Sequence, residues 1–454
     1  MIATAENQGA GSLRDRAVMI RSVFVRNVGL STILKLSSFL LQFAMLPLLV
    51  RSLGRAEYGV WVSLQSLVVW IALLEFGIGK GLRNKLIGLI SLSEDDLAKK
   101  YISSTFFGQL VLAVGVTGVF AYVLLVLDLP WASWFKSQES DGAIAVTGFL
   151  CLLVLLLNQL LGVTHAIMYA KHWNAATAMV GFFASLGLLI FIAFSVWSGH
   201  QVTLPKLAFA NLLLFGIASA VEALCVFGLM PKYMPDWRLA SWSHFNEIAG
   251  LGVRFLFIEF TYLVIFIMDR WIVLQVLGPS SVTEYDILLR LSALVTTGYA
   301  LCTGPLWGLS GAAWAKRDAV MMDKLWRIAS LLMIPFAMAA VLIGIFINPV
   351  IHIWVDREIT ISMIARVSMV LYSWLVIWGS AYAALLNGIG RVREQLFCCI
   401  LACLINIPLS LYLCGQDGVG IAGVLIASTF SLSIFSLVAP FVWQDCRKKV
   451  RGVE

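Results

Sequence analysis

The sequence predicts an all-α integral membrane protein, with about twelve transmembrane helices in two six-helix lobes around a central cavity. Three observations predict it. The 454 residues are 60% hydrophobic and only 13% charged, with a mean hydropathy of +0.91; soluble domains are nearer half apolar and a quarter charged. The apolar residues fall in runs of about 20, the length a helix needs to cross hydrocarbon. The runs also fall into two halves whose motifs recur in the same order.

The runs begin near Val28, Tyr58, Tyr101, Ala143, Asn174, Leu207, Leu251, Tyr285, Trp326, Ile361, Gln395 and Gly420. The loops between them are short, so no inserted soluble domain is expected. The first 27 residues are polar and carry Arg14, Arg16, Arg21 and Arg26. No short apolar core with a small-residue cleavage site follows, so no cleavable signal peptide is expected. Basic residues set the orientation. With the N-terminus inside, the outside loops hold only Arg51, Arg55, Lys136, Lys206 and Arg357, and most of the other Lys and Arg residues fall inside. Both termini are therefore expected in the cytoplasm. The division that follows is a cytoplasmic N-terminal segment (1–27), an N-lobe of helices 1–6 (28–230), an amphipathic cytoplasmic linker with Pro231, Pro235, Trp237 and Trp242 (231–250), a C-lobe of helices 7–12 (251–443) and a basic cytoplasmic tail (444–454).

The repeat is visible in LVRSLGRAEYG (49–59) against VLQVLGPSSVTEYD (273–286). Gly54 aligns with Gly278, and a three-residue insertion then brings Tyr58 over Tyr285. Further on, FGIGKGL (76–82) lies over TGPLWGL (303–309), matching Gly77 with Gly304 and Gly81 with Gly308. An even number of helices per half keeps both halves in the same orientation. The repeat is therefore parallel, about an axis along the membrane normal, a transporter architecture. Pro47, Gly304 and Pro305 interrupt or weaken helix hydrogen bonding within spans and are expected to be hinges.

Charges inside spans are costly, about 2.5–3.5 kcal/mol at mid-bilayer, and usually face a cavity or a partner. Lys35 stands about seven residues, roughly 10 Å, into the first span. Ser31, Lys35, Ser38 and Gln42 share one helical face, a polar stripe suited to a wet interior. The repeat offset places Glu259 over Lys35, and Phe255, Tyr262 and Phe266 share the face of Glu259, rings on which sugars stack. Three readings of the pair stay open: a structural ion pair, a cavity pair that opens and closes during transport, and a lysine that snorkels to the interface. Arg290 and Arg366 add two further intramembrane cations, whose guanidinium forks suit phosphate or pyrophosphate oxygens. Each is equally accounted for by an intramolecular carboxylate partner. Glu75, Glu222, Asp269 and Arg270 are the candidate gating and coupling residues, since a buried carboxyl can carry a coupling proton.

Soluble-enzyme chemistry is not expected. GIGKGLRN (77–84) lacks the spacing of a phosphate loop and has no strand before it. The five histidines are scattered, and Cys398, Cys399 and Cys403 are too poor in polar company for a zinc site. No cofactor, metal or nucleic-acid partner is expected. The expected driving force is an ion gradient, of protons or sodium, or the gradient of the substrate itself.

LVRSLGRAEYGVWVSLQSLVVWIALLEFGIGKGLRNKL (49–86) resembles the first helical hairpin of bacterial polysaccharide flippases of the Wzx type, members of the multidrug/oligosaccharidyl-lipid/polysaccharide exporter superfamily. MDRWIVLQVLGPSSVTEYDILLRLSAL (268–294) and LLNGIGRVREQLFCCILACLINIPLSLYL (385–413) resemble later parts of the same pattern. The resemblance implies a flippase of the bacterial inner membrane. It would move undecaprenyl-pyrophosphate-linked oligosaccharides from the cytoplasmic to the periplasmic leaflet by alternating access. Its pathway would build a surface polysaccharide, such as the O-antigen of lipopolysaccharide or an exopolysaccharide. It implies a cationic cavity, which Lys35, Arg290 and Arg366 fit and from which Glu259 and Asp269 depart. Membrane lipids, a polysaccharide polymerase and chain-length proteins are the further partners it suggests. Two alternatives are weighed. A cation-coupled multidrug or small-molecule antiporter of the superfamily would favour cavity carboxylates over cations. A non-transporting scaffold of a polysaccharide assembly complex would need large periplasmic loops, whereas the longest expected here is around 128–142.

Overall fold

The computed structural model describes residues 29–71, 78–171, 173, 175–250, 260, 263, 267–356, 358–391 and 393–452. The described residues form helices: α1 (Gly29–Leu53), α2 (Arg55–Ile71), α3 (Ile78–Ser91), α4 (Asp95–Ala121), α5 (Trp131–Phe135), α6 (Asp141–Ala170), α7 (Met179–Trp197), α8 (Leu204–Leu229), α9 (242–250), α10 (Met268–Leu277), α11 (Pro279–Ala315), α12 (Ala319–Trp354), α13 (Met363–Ile389), α14 (Arg393–Cys414) and α15 (Ile421–Arg451). No strand is present among the described residues. Ten of these helices are long and apolar enough to cross a membrane. Of the other two expected spans, α2 has 17 described residues, one short of that length criterion, and the run starting at Leu251 lies almost wholly outside the described residues. The chain is a multi-pass membrane protein.

Several helices begin earlier than their apolar runs. α11 starts at Pro279 and α12 at Ala319, where the sequence places span starts near Tyr285 and Trp326. The extra turns are nucleated by local chemistry. Proline needs no hydrogen-bond acceptor in the first helical turn, and the Asp318 side chain accepts from the Met321 amide at 2.9 Å. Apolar content locates the hydrocarbon core; capping locates the helix end.

The turns at Gly54 and Gly278 share one conformation. Both glycines have positive φ, +84° and +94°, a region that glycine enters without steric cost. Each ends one helix (α1, α10) and a new helix starts at the next residue (α2, α11). The two positions aligned in the sequence repeat are thus the same structural device. Gly77, the partner of Gly304 in that alignment, lies outside the described residues.

Two compact units divide the chain. The first contains residues up to Met45, Leu74–Leu127 and Phe149–Leu256. Its core includes Ile78, Leu82 and Leu86, every fourth residue of α3, with Ile102, Ile167, Tyr233, Phe245 and Ile248. The 231–250 segment is part of this core. The second unit contains Leu46–Leu73, Asp128–Gly148 and Phe257 onward. There α11, α13 and α15 pack together around Tyr299, Ile377, Leu385 and Trp443. A methyl on Gly388 would overlap the Trp307 carbonyl, so α11 and α13 approach there at backbone distance, as membrane helices do at small residues. Pro47 and Gly304-Pro305, the expected hinges, lie inside the continuous helices α1 and α11.

Candidate functional site

In the second unit, α2, α10 and α11 gather a buried ionic group. Asp269 and Arg270 open α10, and Asp286 and Arg290 stand one turn apart on α11, a spacing at which side chains meet. The Asp286 side chain is 3% exposed. It accepts from Arg290 Nε at 2.7 Å, from Arg270 Nη2 at 3.0 Å and Nε at 3.3 Å, and from the Tyr58 hydroxyl at 2.7 Å. These bonds fill most of the acceptor capacity of a carboxylate. A charge without water is stable only when so paired.

Beside it, Asp269 is buried and faces neutral donors. Its Oδ2 accepts from the Tyr285 hydroxyl and the Ser428 hydroxyl, each at 2.8 Å. Asn406 Nδ2 donates to the same Ser428 oxygen at 3.1 Å. Asp269 Oδ1 and Asn406 Oδ1 are both buried without a hydrogen-bond partner. A buried carboxyl oxygen left unsatisfied, among hydroxyl and amide oxygens, can take up a proton or a small cation. The repeat-related Tyr58 and Tyr285 therefore do the same thing in each half: each is buried and donates to a carboxylate.

In the first unit, Glu222 of α8 is buried and accepts from Thr164 Oγ1 at 2.6 Å, with His165 Nε2 at 3.3 Å from its other oxygen. On α1, Ser31 is buried, Ser38 donates to the Leu34 carbonyl at 2.8 Å, and Lys35 and Gln42 are exposed. No ion pair of Lys35 is formed among the described residues. Arg366 is half-buried on α13, with its Nε buried and without a hydrogen-bond partner. Glu259, Tyr262 and Glu75 lie outside the described residues, as do Phe255 and Phe266.

The structure thus brings together Asp269, Arg270 and Arg290, expected from sequence, and adds Tyr58 and Asp286. Asp286 was missed because it sits at the start of an apolar run. Its i,i+4 spacing to Arg290 was the available signal. Arg55 and Glu284, paired at 3.0 Å, were missed because each reads as an ordinary loop charge.

The 231–250 segment is fastened to α3 and α4. Lys232 Nζ lies 2.5 Å from Asp95, and the Tyr233 hydroxyl donates to the same carboxylate. The Asp236 and Ser241 amides donate to Ser103 and Ser104. Glu247 accepts from Lys85 at 2.7 Å and from Tyr101. The Lys85 bond, and then the Tyr101 bond, hold the Glu247 carboxyl below its ordinary range, and Glu247 in turn raises the Lys85 ammonium.

No family model matches the chain. In sequence it is 21% identical to the Salmonella typhimurium protein named "Putative O-antigen transporter", over 87% of this chain and 90% of that one. In structure it is similar to an inward-facing multidrug resistance MATE family transporter of the MOP superfamily, with a TM-score of 0.72, 15% identity, and 93% and 99% of the two chains covered. It is also similar to the lipid II flippase MurJ in an inward closed conformation, with a TM-score of 0.66, 14% identity, and 93% and 89% covered. The chain has the fold of these two transport proteins, and its sequence resembles a protein named for O-antigen transport.

Proposed function

We propose, from a chain with this fold and an O-antigen transporter among its relatives, that the protein flips undecaprenyl-pyrophosphate-linked oligosaccharides. Transport runs from the cytoplasmic to the periplasmic leaflet of a bacterial inner membrane, and both termini are cytoplasmic. The polar headgroup is the obstacle, since a charged pyrophosphate bearing sugars cannot enter hydrocarbon unaided. The observation that carries the reading is Lys35: an exposed cation part-way along an apolar span, with no ion pair among the described residues. A ligand with phosphate oxygens accounts for the retention of such a charge. Lys35 makes the inner pyrophosphate contact, Arg366 an outer one, and Glu259 holds Lys35 in the empty state. Arg290 reaches the substrate only if it leaves Asp286. The likeness to MATE transporters supports the same transport architecture without choosing the cargo.

The test is headgroup flipping in proteoliposomes, with a short undecaprenyl-pyrophosphate-linked glycan and an enzyme probe on one side. Wild type is expected to flip it, and Lys35→Ala to lose most of the rate at equal protein level. Full activity in the variant removes Lys35 from the substrate path. Inactive wild type, with cation-coupled drug export in parallel vesicles, establishes the antiporter instead.

A further inference from the structure

In the second unit, the C-terminal ends of α1 and α12 frame a cavity of about 840 Å³, a volume typical of small-molecule sites. Arg51, in the last turn of α1, and Arg55, the first residue of α2, both line it, with the Gly54 turn between them. His352, Ile353 and Asp356 line it from the end of α12 and the residues that follow. Arg51 is exposed and makes no ion pair or hydrogen bond among the described residues. Arg55 bonds Glu284 through Nη2, and its Nε has no partner. The Asp356 carboxylate accepts from the Glu358 amide at 3.1 Å and forms no ion pair among the described residues. His352 Nε2 lies 3.1 Å from the Ile359 carbonyl. A carbonyl only accepts, so Nε2 carries the hydrogen and Nδ1 of the neutral ring is left as an acceptor.

We propose that this cavity binds the headgroup of a zwitterionic phospholipid, with its phosphate on Arg51 and Arg55 and its primary ammonium on Asp356 and His352 Nδ1. The lining supplies both signs. Guanidinium groups suit phosphate oxygens, whereas a carboxylate and an imidazole acceptor suit an N–H donor. The last carbonyls of α1 and α12 add partial negative charge that favours a cation. An inorganic anion would be opposed by Asp356, and a lone cation by the arginines; a ligand carrying both charges answers both. The position suits a lipid. Two apolar spans end at the cavity, so it lies at the edge of the hydrocarbon. Ile353 is 85% exposed, and Phe346 and Leu342, further along the same face of α12, are exposed as well. An acyl chain thus has an apolar track leading away from the headgroup. A quaternary ammonium has no N–H to donate, and a glycerol headgroup has no positive charge. Phosphatidylethanolamine therefore fits better than phosphatidylcholine or phosphatidylglycerol.

The experiment counts bound lipid by native mass spectrometry. Full-length protein, stripped of lipid in detergent, is offered these three phospholipids with the same acyl chains. Wild type is expected to retain phosphatidylethanolamine severalfold more than the other two. Arg51→Ala, at an exposed position, should lower that retention severalfold, and Asp356→Asn should erase the preference over phosphatidylcholine. Each variant is first matched to wild type by gel filtration, and the difference between them isolates this cavity from other lipid contacts. Equal retention of the three lipids by wild type, or unchanged binding in either variant, overturns the site. Phosphatidylglycerol ahead of phosphatidylethanolamine would make the ligand a plain anion and overturn the zwitterionic assignment. Undecaprenyl pyrophosphate displacing phosphatidylethanolamine at equal concentration would give the cavity to a pyrophosphate lipid and overturn the phospholipid. No transport is read and neither side of the membrane is assumed, so this result is separate from that of the flipping assay.

Discussion

At the scale of single residues, the buried ionic group of the second unit is built on Asp286. It pairs with both Arg270 and Arg290 in a site almost closed to water. Removing one partner of a buried ion pair leaves an uncompensated charge, a loss of about 3–5 kcal/mol, whereas deleting a hydroxyl that donates to a carboxylate which keeps its ion pairs costs about 1.5–3 kcal/mol. Asp286→Ala is therefore expected to lower the thermal midpoint of the detergent-solubilised protein sharply, and Tyr58→Phe by less. A scan of retained monodisperse protein against temperature separates the two. Equal small losses would mean that water already reaches the arginines.

At the scale of elements, the 231–250 segment is part of the first unit rather than a loose tether. Tyr233, Phe245 and Ile248 lie in that unit's core, and Lys232, Asp236, Ser241 and Glu247 bond to α3 and α4. Exposed on it are Trp237 and Trp242, side chains that favour the membrane interface. Its docking has a pH window. The Glu247 carboxyl is held below its ordinary value, so its contribution is complete above the ordinary carboxylate range and is lost as pH falls through the lowered one. Lys85 is raised, so its contribution is complete below the ordinary lysine value and is lost as pH rises through the raised one. Amide exchange in 231–250 should thus be slowest, relative to the intrinsic rate, between these limits. Glu247→Gln should abolish the acid-side loss of protection while the rest of α4 stays protected. A wild-type segment equally unprotected at every pH would show that it is not docked.

At the scale of the whole molecule, the sequence discloses what depends on composition and order. Apolar runs announced the spans, and the alignment of Gly54 with Gly278 paired two positions that the structure shows to be turns of the same positive φ. Pairing was less legible, because it depends on which helices meet. Arg290 could be read equally as a substrate ligand or as half of an ion pair, and only the neighbouring helix turn shows Asp286 holding it. Asp269 looked like one more intramembrane acid, and its neutral partners come from α11 and α15, far along the chain. Those partners assign it a role distinct from that of Asp286. With both arginines and both aspartates ionised the buried group is neutral; a proton or cation taken up at Asp269 leaves it one positive charge in excess. On the function proposed above, such an excess would favour an anionic headgroup, and Asp269 would then be the place where an ion gradient is linked to substrate capture. Asp269→Asn fixes the group in that positive state. In vesicles with an imposed proton or sodium gradient, wild-type flipping should accelerate with one of the two. The variant should flip at a rate indifferent to both. Acceleration preserved in Asp269→Asn would move the coupling elsewhere, with Glu222 and its neighbour His165 next to be tested.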